Sequence, residues 1–108
     1  MYEHIKTNKR DGIITWTREI TSANILEVEA GTNGIKGGDT GHGSRTYFRI
    51  EDLSCTDMTA NVTKNGFEVR IGGDCELVTI IEALKFIADI LEGQIKTYEN
   101  EYGDPYAE

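Results

Sequence analysis

The chain has 108 residues, of which 38% are hydrophobic, with a single proline and a formal net charge of −8. This length and composition are typical of one globular domain with a modest core, and they exclude a largely disordered chain. The negative charge argues against general binding to nucleic acid or to an anionic membrane surface. No apolar run approaches the length of a membrane-spanning helix.

The N-terminal sequence MYEHIKTNKR and the two cysteines bear on the cellular compartment. The N-terminal sequence lacks the apolar region of a secretory leader. Cys55 and Cys75 lie far apart and have no metal-binding spacing, so reduced thiols are favoured over a disulfide. We therefore expect a soluble, cytoplasmic protein.

Alternating apolar and polar residues predict five strands, at residues 13–20, 25–30, 45–50, 58–63 and 67–71. In the first strand Ile14, Trp16 and Ile20 share one face with Arg18, whereas Thr15, Thr17 and Glu19 share the other. In the second strand Leu26, Val28 and Ala30 are expected to point inward, and Glu27 and Glu29 to point outward. In the third strand Thr46, Phe48 and Ile50 oppose Arg45, Tyr47 and Arg49.

The last two strands are predicted to form a hairpin. Asn65-Gly66 lies between two alternating runs, which is a strong signal for a tight turn. The side chains expected to point inward from this hairpin are Met58, Ala60, Val62, Phe67, Val69 and Ile71.

A helix is predicted from Cys75 to about Tyr98, with Asp74 as its N-cap. Its apolar residues recur at spacings of three and four, and they occupy more than one face. One face can cover the sheet, and we expect the surplus to pack on another copy of the protein. The acidic tail ENEYGDPYAE, residues 99–108, is expected to fray.

These elements predict an α+β fold, with a mostly antiparallel sheet of about five strands followed by one long C-terminal helix. Residues 1–98 are predicted to form a single ligand-binding domain, and residues 99–108 an acidic tail.

The connection between the second and third strands is long and rich in glycine. Six of the twelve glycines lie between Gly31 and Gly43, and residues 31–50 carry Lys36, Arg45 and Arg49 against Asp39 alone. Long loops in compact domains are often functional, and glycines allow successive backbone N–H groups to surround an anion. The phosphate-binding motifs GxGxxG and GxxxxGK[ST] are absent from the sequence. The loop therefore favours a small anionic ligand, with a plain mobile loop as the alternative.

The candidate ligand-binding residues come from this loop, the strand after it and one aromatic residue outside it. Arg45 and Arg49 flank Tyr47 on one strand face, which is either a ligand platform of cationic donors beside an aromatic ring or an ordinary solvated face. Trp16 is either a core anchor or a surface on which a base stacks, and Phe67 or Tyr47 could also stack a base. The full set is Trp16, Asn33, Gly37, Gly38, Asp39, Thr40, His42, Ser44, Arg45, Tyr47 and Arg49.

Catalytic and metal-binding interpretations of the same loop are weaker. His42 could act as a base for Ser44, but no GxSxG elbow is present, and residues two apart on a loop rarely adopt that geometry. Asp39 and His42 lack a partner His or Cys for a metal site. We expect no catalytic residue, no metal and no cofactor.

The glycine loop, residues 45–53 (RTYFRIEDL) and the Gly72-Gly73-Asp74 entry to the helix resemble small proteins of gut bacteria and their phages, above all the phage anti-Thoeris sponge family. The resemblance spans about residues 12–98, through strand order, one long C-terminal helix and size. It implies a catalytically inert dimer or hexamer that sequesters cyclic ADP-ribose signals in the infected bacterial host. For some members it also implies binding of CBASS cyclic di- or trinucleotides. No ligand residue is carried over from the family.

Two other functions stay open from the sequence. Residues 74–108 carry nine acidic residues against Lys85 and Lys96, which suits a protein-directed inhibitor that imitates nucleic acid, such as an anti-CRISPR protein. A hydrolase or lyase using His42 is the third hypothesis.

Overall fold

The structure, a computed structural model, describes residues 5–10, 12–38 and 42–102, with side chains through residue 95. Its described residues form six antiparallel strands in two sheets, followed by one helix, so the predicted α+β fold is confirmed. The elements are β1 (Lys6–Arg10), β2 (Ile13–Thr21), β3 (Ile25–Thr32), β4 (Thr46–Ser54), β5 (Asp57–Val62), β6 (Phe67–Gly72) and α1 (Asp74–Tyr102).

The larger sheet has the strand order β1-β2-β3-β4, so β3 has a neighbour on both sides. Trp16 pairs with Ala30, and Ala30 pairs with Phe48, which places these three residues on the side that α1 covers, the helix face. Glu29 pairs with Thr17 and Arg49 on the opposite side, which we call the rear face. The alternation predicted for these strands is therefore confirmed.

The core lies between α1 and the helix face of β3. Leu26, Val28 and Ala30 are fully buried against Ala83 and Phe86. Burial of each large aliphatic or aromatic side chain contributes about 1.5–3 kcal/mol. The helix is also fixed in register by a buried hydrogen bond of 2.8 Å from Thr79 Oγ1 to Asn24 Oδ1. Packing and this polar contact together set α1 along the centre of the sheet.

The second sheet is the β5–β6 hairpin, whose turn is closed by a 2.8 Å hydrogen bond from Thr63 N to Gly66 O, as Asn65-Gly66 predicts. The expected inward orientation is wrong for its outer half, because Val62 is 90% and Phe67 64% exposed. The hairpin extends beyond the core, so only its base reaches it, through Met58. At its tip Phe67 contacts Phe48, with ring centroids 6.2 Å apart.

Two elements, β1 and the C-terminal end of α1, differ from the sequence-based expectation. β1 was not predicted, because KTNKR contains no apolar residue and so has no hydrophobic period. At the other end, α1 continues to Tyr102, whereas the helix was expected to end near Tyr98 and the tail to fray from Glu99. Residues 103–108 of the predicted tail lie outside the described residues.

The described part of the chain contains no helix with both the length and the hydropathy to cross a membrane. Cys55 and Cys75 are free thiols and both are exposed, in agreement with the prediction that they are not paired.

Candidate functional site

The glycine-rich loop is closed at its base by hydrogen bonds. Asn33 N donates to Arg45 O at 3.1 Å, and Arg45 N donates to Asn33 Oδ1 at 2.7 Å. Thr32 Oγ1 adds bonds of 3.0 Å to Arg45 O and 2.9 Å to Thr46 Oγ1. The predicted ligand residue Asn33 therefore already has a structural task, which is to join the two ends of the loop.

Further along the loop, the backbone segments at Gly38 and Gly43 approach each other closely. A Cβ atom on Gly38 would lie 2.7 Å from Gly43 N, and one on Gly43 would lie 2.6 Å from Gly38 O. Gly43 also has a φ of +82°, which residues with a side chain rarely adopt. Close backbone contact thus accounts for part of the glycine content without a ligand.

The remaining loop residues fall into two groups. Gly37, His42, Ser44 and Arg45 are exposed, and the Arg45 guanidinium donates to Ser44 O at 3.1 Å. Asp39 and Thr40 lie outside the described residues. The exposed residues can therefore contact a bound molecule.

The sheet separates the predicted aromatic and cationic residues. Trp16 lies on the helix face, whereas Tyr47 and Arg49 lie on the rear face. A single ligand on one chain therefore cannot contact Trp16 together with the Tyr47–Arg49 pair. Arg10 further covers one side of the Tyr47 ring, with its Cζ atom 5.0 Å from the ring centroid.

On the rear face an ionic cluster surrounds Glu29, whose side chain is fully buried. Arg10 donates to the Glu29 carboxylate at 2.5 and 2.9 Å, Thr15 Oγ1 donates at 2.5 Å and Arg49 Nε donates at 3.0 Å. We call these four residues the Glu29 cluster. The expectation that Glu29 points to solvent is wrong, because residues from β1, β2 and β4 close over the rear face of β3.

Hydrogen bonds and neighbouring charges in the Glu29 cluster favour the charged forms of Glu29 and Arg49. The hydrogen bonds from Arg10 hold the pKa of Glu29 at about 2; burial opposes this shift, and Thr15 and Arg49 support it. Burial by itself would lower the pKa of Arg49, but hydrogen bonds from its guanidinium to Glu27 and Glu29 outweigh burial and raise it. Glu51 lies 3.1 Å from the same guanidinium. A ligand phosphate at Arg49 would meet three carboxylates, so this predicted ligand residue is poorly suited to bind an anion.

We expect acid to destabilise the fold through Glu29. Its pKa is lower in the folded chain than its ordinary value of 4.5, so its contribution is complete above about pH 4.5 and is lost as the pH falls through about 2. After allowance for screening at the partly exposed Arg10, the loss is about 2 kcal/mol. Urea unfolding from about pH 5 to about pH 2.5 measures it, and the profile of Glu29→Gln should be flatter. Equal slopes for the two proteins would contradict the assignment.

An open depression of about 520 Å³ lies where β1 and β2 meet, lined by Thr7, Asn8, Lys9, Ile14 and Trp16. Ile14 and Trp16 are only partly covered, and they lie beside the ammonium of Lys9 and the hydroxyl of Thr7. Its volume is in the range of small-molecule sites, which combine apolar walls with a few polar groups. The arrangement can hold a flat ring against Trp16 and an anionic group at Lys9.

The depression lies at the end of the sheet from which the glycine loop departs. A Cβ atom on Gly31, just before the loop, would overlap the backbone of Ile14 and Thr15. The exposed loop residues and Trp16 are thereby placed at the same end of the domain.

Trp16 was predicted as a ligand residue from the sequence, whereas the β1 residues beside it were not predicted. The sequence signal that could have identified β1 is the charge of KTNKR, in which Lys6, Lys9 and Arg10 occur without an acidic residue. The sequence Asp11-Gly12 between this segment and an alternating run is itself a hairpin signal. Taken together, these features predict a basic edge strand paired with the strand that carries Trp16.

Among the described residues, no group of three His, Cys, Asp or Glu side chains could hold a metal ion. Comparison of the chain with protein-family models, with curated proteins and with solved structures gave no match in any of the three.

Proposed function

We propose that the protein is a non-enzymatic binding protein that sequesters a small cyclic nucleotide, a cyclic ADP-ribose isomer or a cyclic di- or trinucleotide, in an infected bacterial cell. The resemblance to the anti-Thoeris sponges supports this ligand class. The observation that carries the proposal is the open depression in which Trp16 lies beside Lys9.

The chemistry of the depression fits the parts of a nucleotide. A base stacked on Trp16 gains about 1–3 kcal/mol, and stacking requires no particular base. Lys9 is an exposed ammonium that can pair with a phosphate, on an edge strand that carries three cations. Thr7 adds a hydroxyl group beside Lys9. An acidic protein with one basic strand attracts a small anion there without attracting long polyanions.

The glycine loop supplies the second half of the proposed site. His42, Ser44 and Arg45 are exposed on a loop that leaves the sheet beside Ile14. Their donors can approach the second phosphate of a cyclic ligand whose base lies on Trp16. We assign the phosphate-binding role expected of Arg49 to Lys9, because Arg49 is bound to carboxylates of its own chain.

The first experiment uses the single tryptophan as the reporter. The purified protein is titrated with cyclic ADP-ribose isomers and cyclic di- and trinucleotides, and Trp16 fluorescence and melting temperature are followed together. Binding at Trp16 should quench its emission, and a ligand held by the native state raises the melting temperature. After heat denaturation, chromatography should recover the ligand intact. A cleaved product would instead support catalysis through His42.

We expect Lys9→Met to weaken binding about tenfold or more, because a charge-assisted hydrogen bond contributes about 1.5–3 kcal/mol. Isothermal titration calorimetry measures the dissociation constant. Lys6→Met is the matched control, since Lys6 has the same charge on the same strand but does not line the depression. Its effect should stay below about twofold.

Trp16→Leu should also weaken binding, by about fivefold to a hundredfold, through the loss of stacking. If both variants bind normally and Arg45→Met does not, the ligand lies in the loop and the depression has no part in binding. If no member of the ligand panel shifts the wild-type protein, the proposed function is wrong.

A further inference from the structure

We infer that residues 103–108 of this chain, GDPYAE, bind in the depression between β1 and β2 and cover Trp16 there. We call these six residues the acidic segment. The contact itself does not require a nucleotide. Only the competition of the acidic segment with a nucleotide rests on the proposed function.

The end of α1 lies at the end of the sheet that carries the depression. Near the start of the helix, Thr79 contacts Asn24, the residue before β3. Further along, Gln94 accepts a 2.6 Å hydrogen bond from the backbone N–H of Thr32, the last residue of β3. The helix therefore runs along β3 in the same direction. Since β2 is antiparallel to β3 and β1 is antiparallel to β2, the start of β2 and the end of β1 lie at this end as well.

The acidic segment is long enough to reach the depression from the end of α1. The helix continues from Gln94 to Tyr102, which is a distance of roughly 12 Å. Two strand spacings, about 10 Å in all, separate β3 from β1. Six further residues span at most about 21 Å when they are extended. Gly103 and Pro105 are residue types that commonly follow the end of a helix, so the sequence predicts that the chain turns after Tyr102.

Charge at this end of the domain is complementary. Residues 97–108 carry four acidic residues and no basic residue, so the last turn of α1 has no cation to offset the negative end of the helix dipole. By contrast, β1 carries three cations and no acidic residue. Arg10 is already bound to Glu29, whereas Lys9 is exposed and lines the depression. A carboxylate of the acidic segment can therefore pair with Lys9.

The acidic segment also has an apolar group that fits the wall of the depression. Ile14 is 48% exposed, and Trp16 is only partly covered. Tyr106 lies between Asp104 and Glu108 in the sequence, so the segment offers one aromatic ring with a carboxylate on either side. The depression offers the matching groups, an indole and an isoleucine beside an ammonium. Two aromatic rings can pack there in an offset or edge-to-face pair. This match, together with the short reach, selects the acidic segment as the occupant.

Acrylamide quenching of the single tryptophan tests the contact without a nucleotide. The segment variant combines Asp104→Asn, Tyr106→Ala and Glu108→Gln, which remove both carboxylates and the aromatic ring. Its Stern–Volmer constant for Trp16 should exceed that of the wild-type protein about twofold or more, because a ring that packs on the indole shields it from the quencher. Equal constants for the two proteins would overturn the inference.

Matched variants identify the cause of that change. Glu68→Gln/Glu82→Gln removes two charges from exposed side chains outside the acidic segment, so its quenching should match that of the wild-type protein. In a Lys9→Met background the segment variant should keep less than about half of its effect, because the two changes break one contact. Fully additive effects would place the acidic segment away from Lys9 and overturn the inference. Circular dichroism establishes that all variants are folded.

The concentration dependence shows which chain supplies the acidic segment. The wild-type Stern–Volmer constant should be the same at about 1 and about 100 μM, because a contact within one chain does not depend on protein concentration. A constant that falls as the concentration rises would assign the contact to the acidic segment of a second copy, and the inference of a contact within one chain would then be wrong.

Competition with a nucleotide is measured separately by calorimetry. A cyclic nucleotide that binds the wild-type protein should bind the segment variant about threefold to tenfold more tightly, because the depression is then open in every molecule. An unchanged dissociation constant beside a raised Stern–Volmer constant would contradict the competition. Raised quenching with no nucleotide binding at all would contradict the proposed function and support the contact. Unchanged quenching with normal nucleotide binding would do the reverse.

Discussion

Replacement of Glu29 by alanine is expected to lower the free energy of unfolding by about 3–5 kcal/mol, the largest effect of any single side chain on the rear face. The carboxylate is fully buried and receives hydrogen bonds from Arg10, Thr15 and Arg49. Its removal leaves a cavity and takes the shared counter-charge from two guanidinium groups. Because small domains have about 5–15 kcal/mol of stability in total, the loss is a large share of the fold. Urea unfolding at neutral pH measures it.

Two further variants separate burial from charge. Glu51→Ala removes another carboxylate that contacts Arg49, but its side chain is 57% exposed, so the loss should stay within about 1 kcal/mol. Glu29→Gln keeps the size of the side chain and part of its hydrogen bonding, so the free energy of unfolding should fall by only about 1–3 kcal/mol. If Glu29→Ala cost no more than Glu51→Ala, the cluster would be an ordinary surface ion pair, and the lowered pKa of Glu29 would have no structural consequence.

The fold followed from local pattern wherever a strand or helix had an apolar period. Alternation found β2, β3 and β4, Asn65-Gly66 found the hairpin, and the three-and-four spacing found α1. The pattern could not place the hairpin relative to the core. A run such as Phe67 to Ile71 alternates equally well whether its apolar face meets the core or projects past it, and here Phe67 is mostly exposed. Whether an apolar face is covered depends on tertiary packing, which a period of two does not encode.

The candidate site was predicted in part, for a similar reason. Trp16 and the start of the glycine loop lie at the same end of the sheet, but Arg49 and Tyr47 lie across the sheet from Trp16. The alternation of side chains along a strand shows which residues share a face within that strand. Relating the faces of two strands requires the register in which they pair. The pairing Trp16–Ala30–Phe48 supplies that register, and only then does Lys9 replace Arg49 as the cation beside the aromatic ring.

Some basic residues of the protein belong to the Glu29 cluster and stabilise the fold, whereas others lie at the proposed ligand site. Arg10 and Lys9 are neighbours on β1 and point to opposite sides of it. Arg10 is bound to the buried Glu29, whereas Lys9 lines the open depression. The cluster therefore ties the edge strand β1 to β3 across β2, and β1 in turn forms one wall of the depression. Loss of Glu29 should consequently weaken ligand binding through displacement of β1, even though Glu29 does not face the depression.

We expect Gly31→Ala to destabilise the protein by about 3 kcal/mol, because its new methyl group would overlap main-chain atoms that cannot rotate away. A Cβ atom there would meet the Ile14 carbonyl oxygen and lie 2.8 Å from Thr15 Cα. Relief of this overlap would require β2 to move away from β3, which would also lengthen the hydrogen bond from Thr15 to Glu29. Thermal and urea unfolding measure the loss, and the emission of Trp16, the next residue but one along β2 from Ile14, should report the displacement.

Gly93→Ala provides the control for this second change, since a Cβ atom on Gly93 meets nothing within 4 Å and the residue lies inside α1. The same chemical substitution should there stabilise the protein by about 0.5–1 kcal/mol, because alanine favours the helix and glycine does not. Opposite signs at the two positions would establish that close approach of β2 to β3, and not chain entropy, is the reason for glycine at the entrance to the loop. If Gly31→Ala were as stable as the wild-type protein, the strands would not be in close contact at this point, and the shared placement of the loop and the Trp16 depression would lose its structural basis.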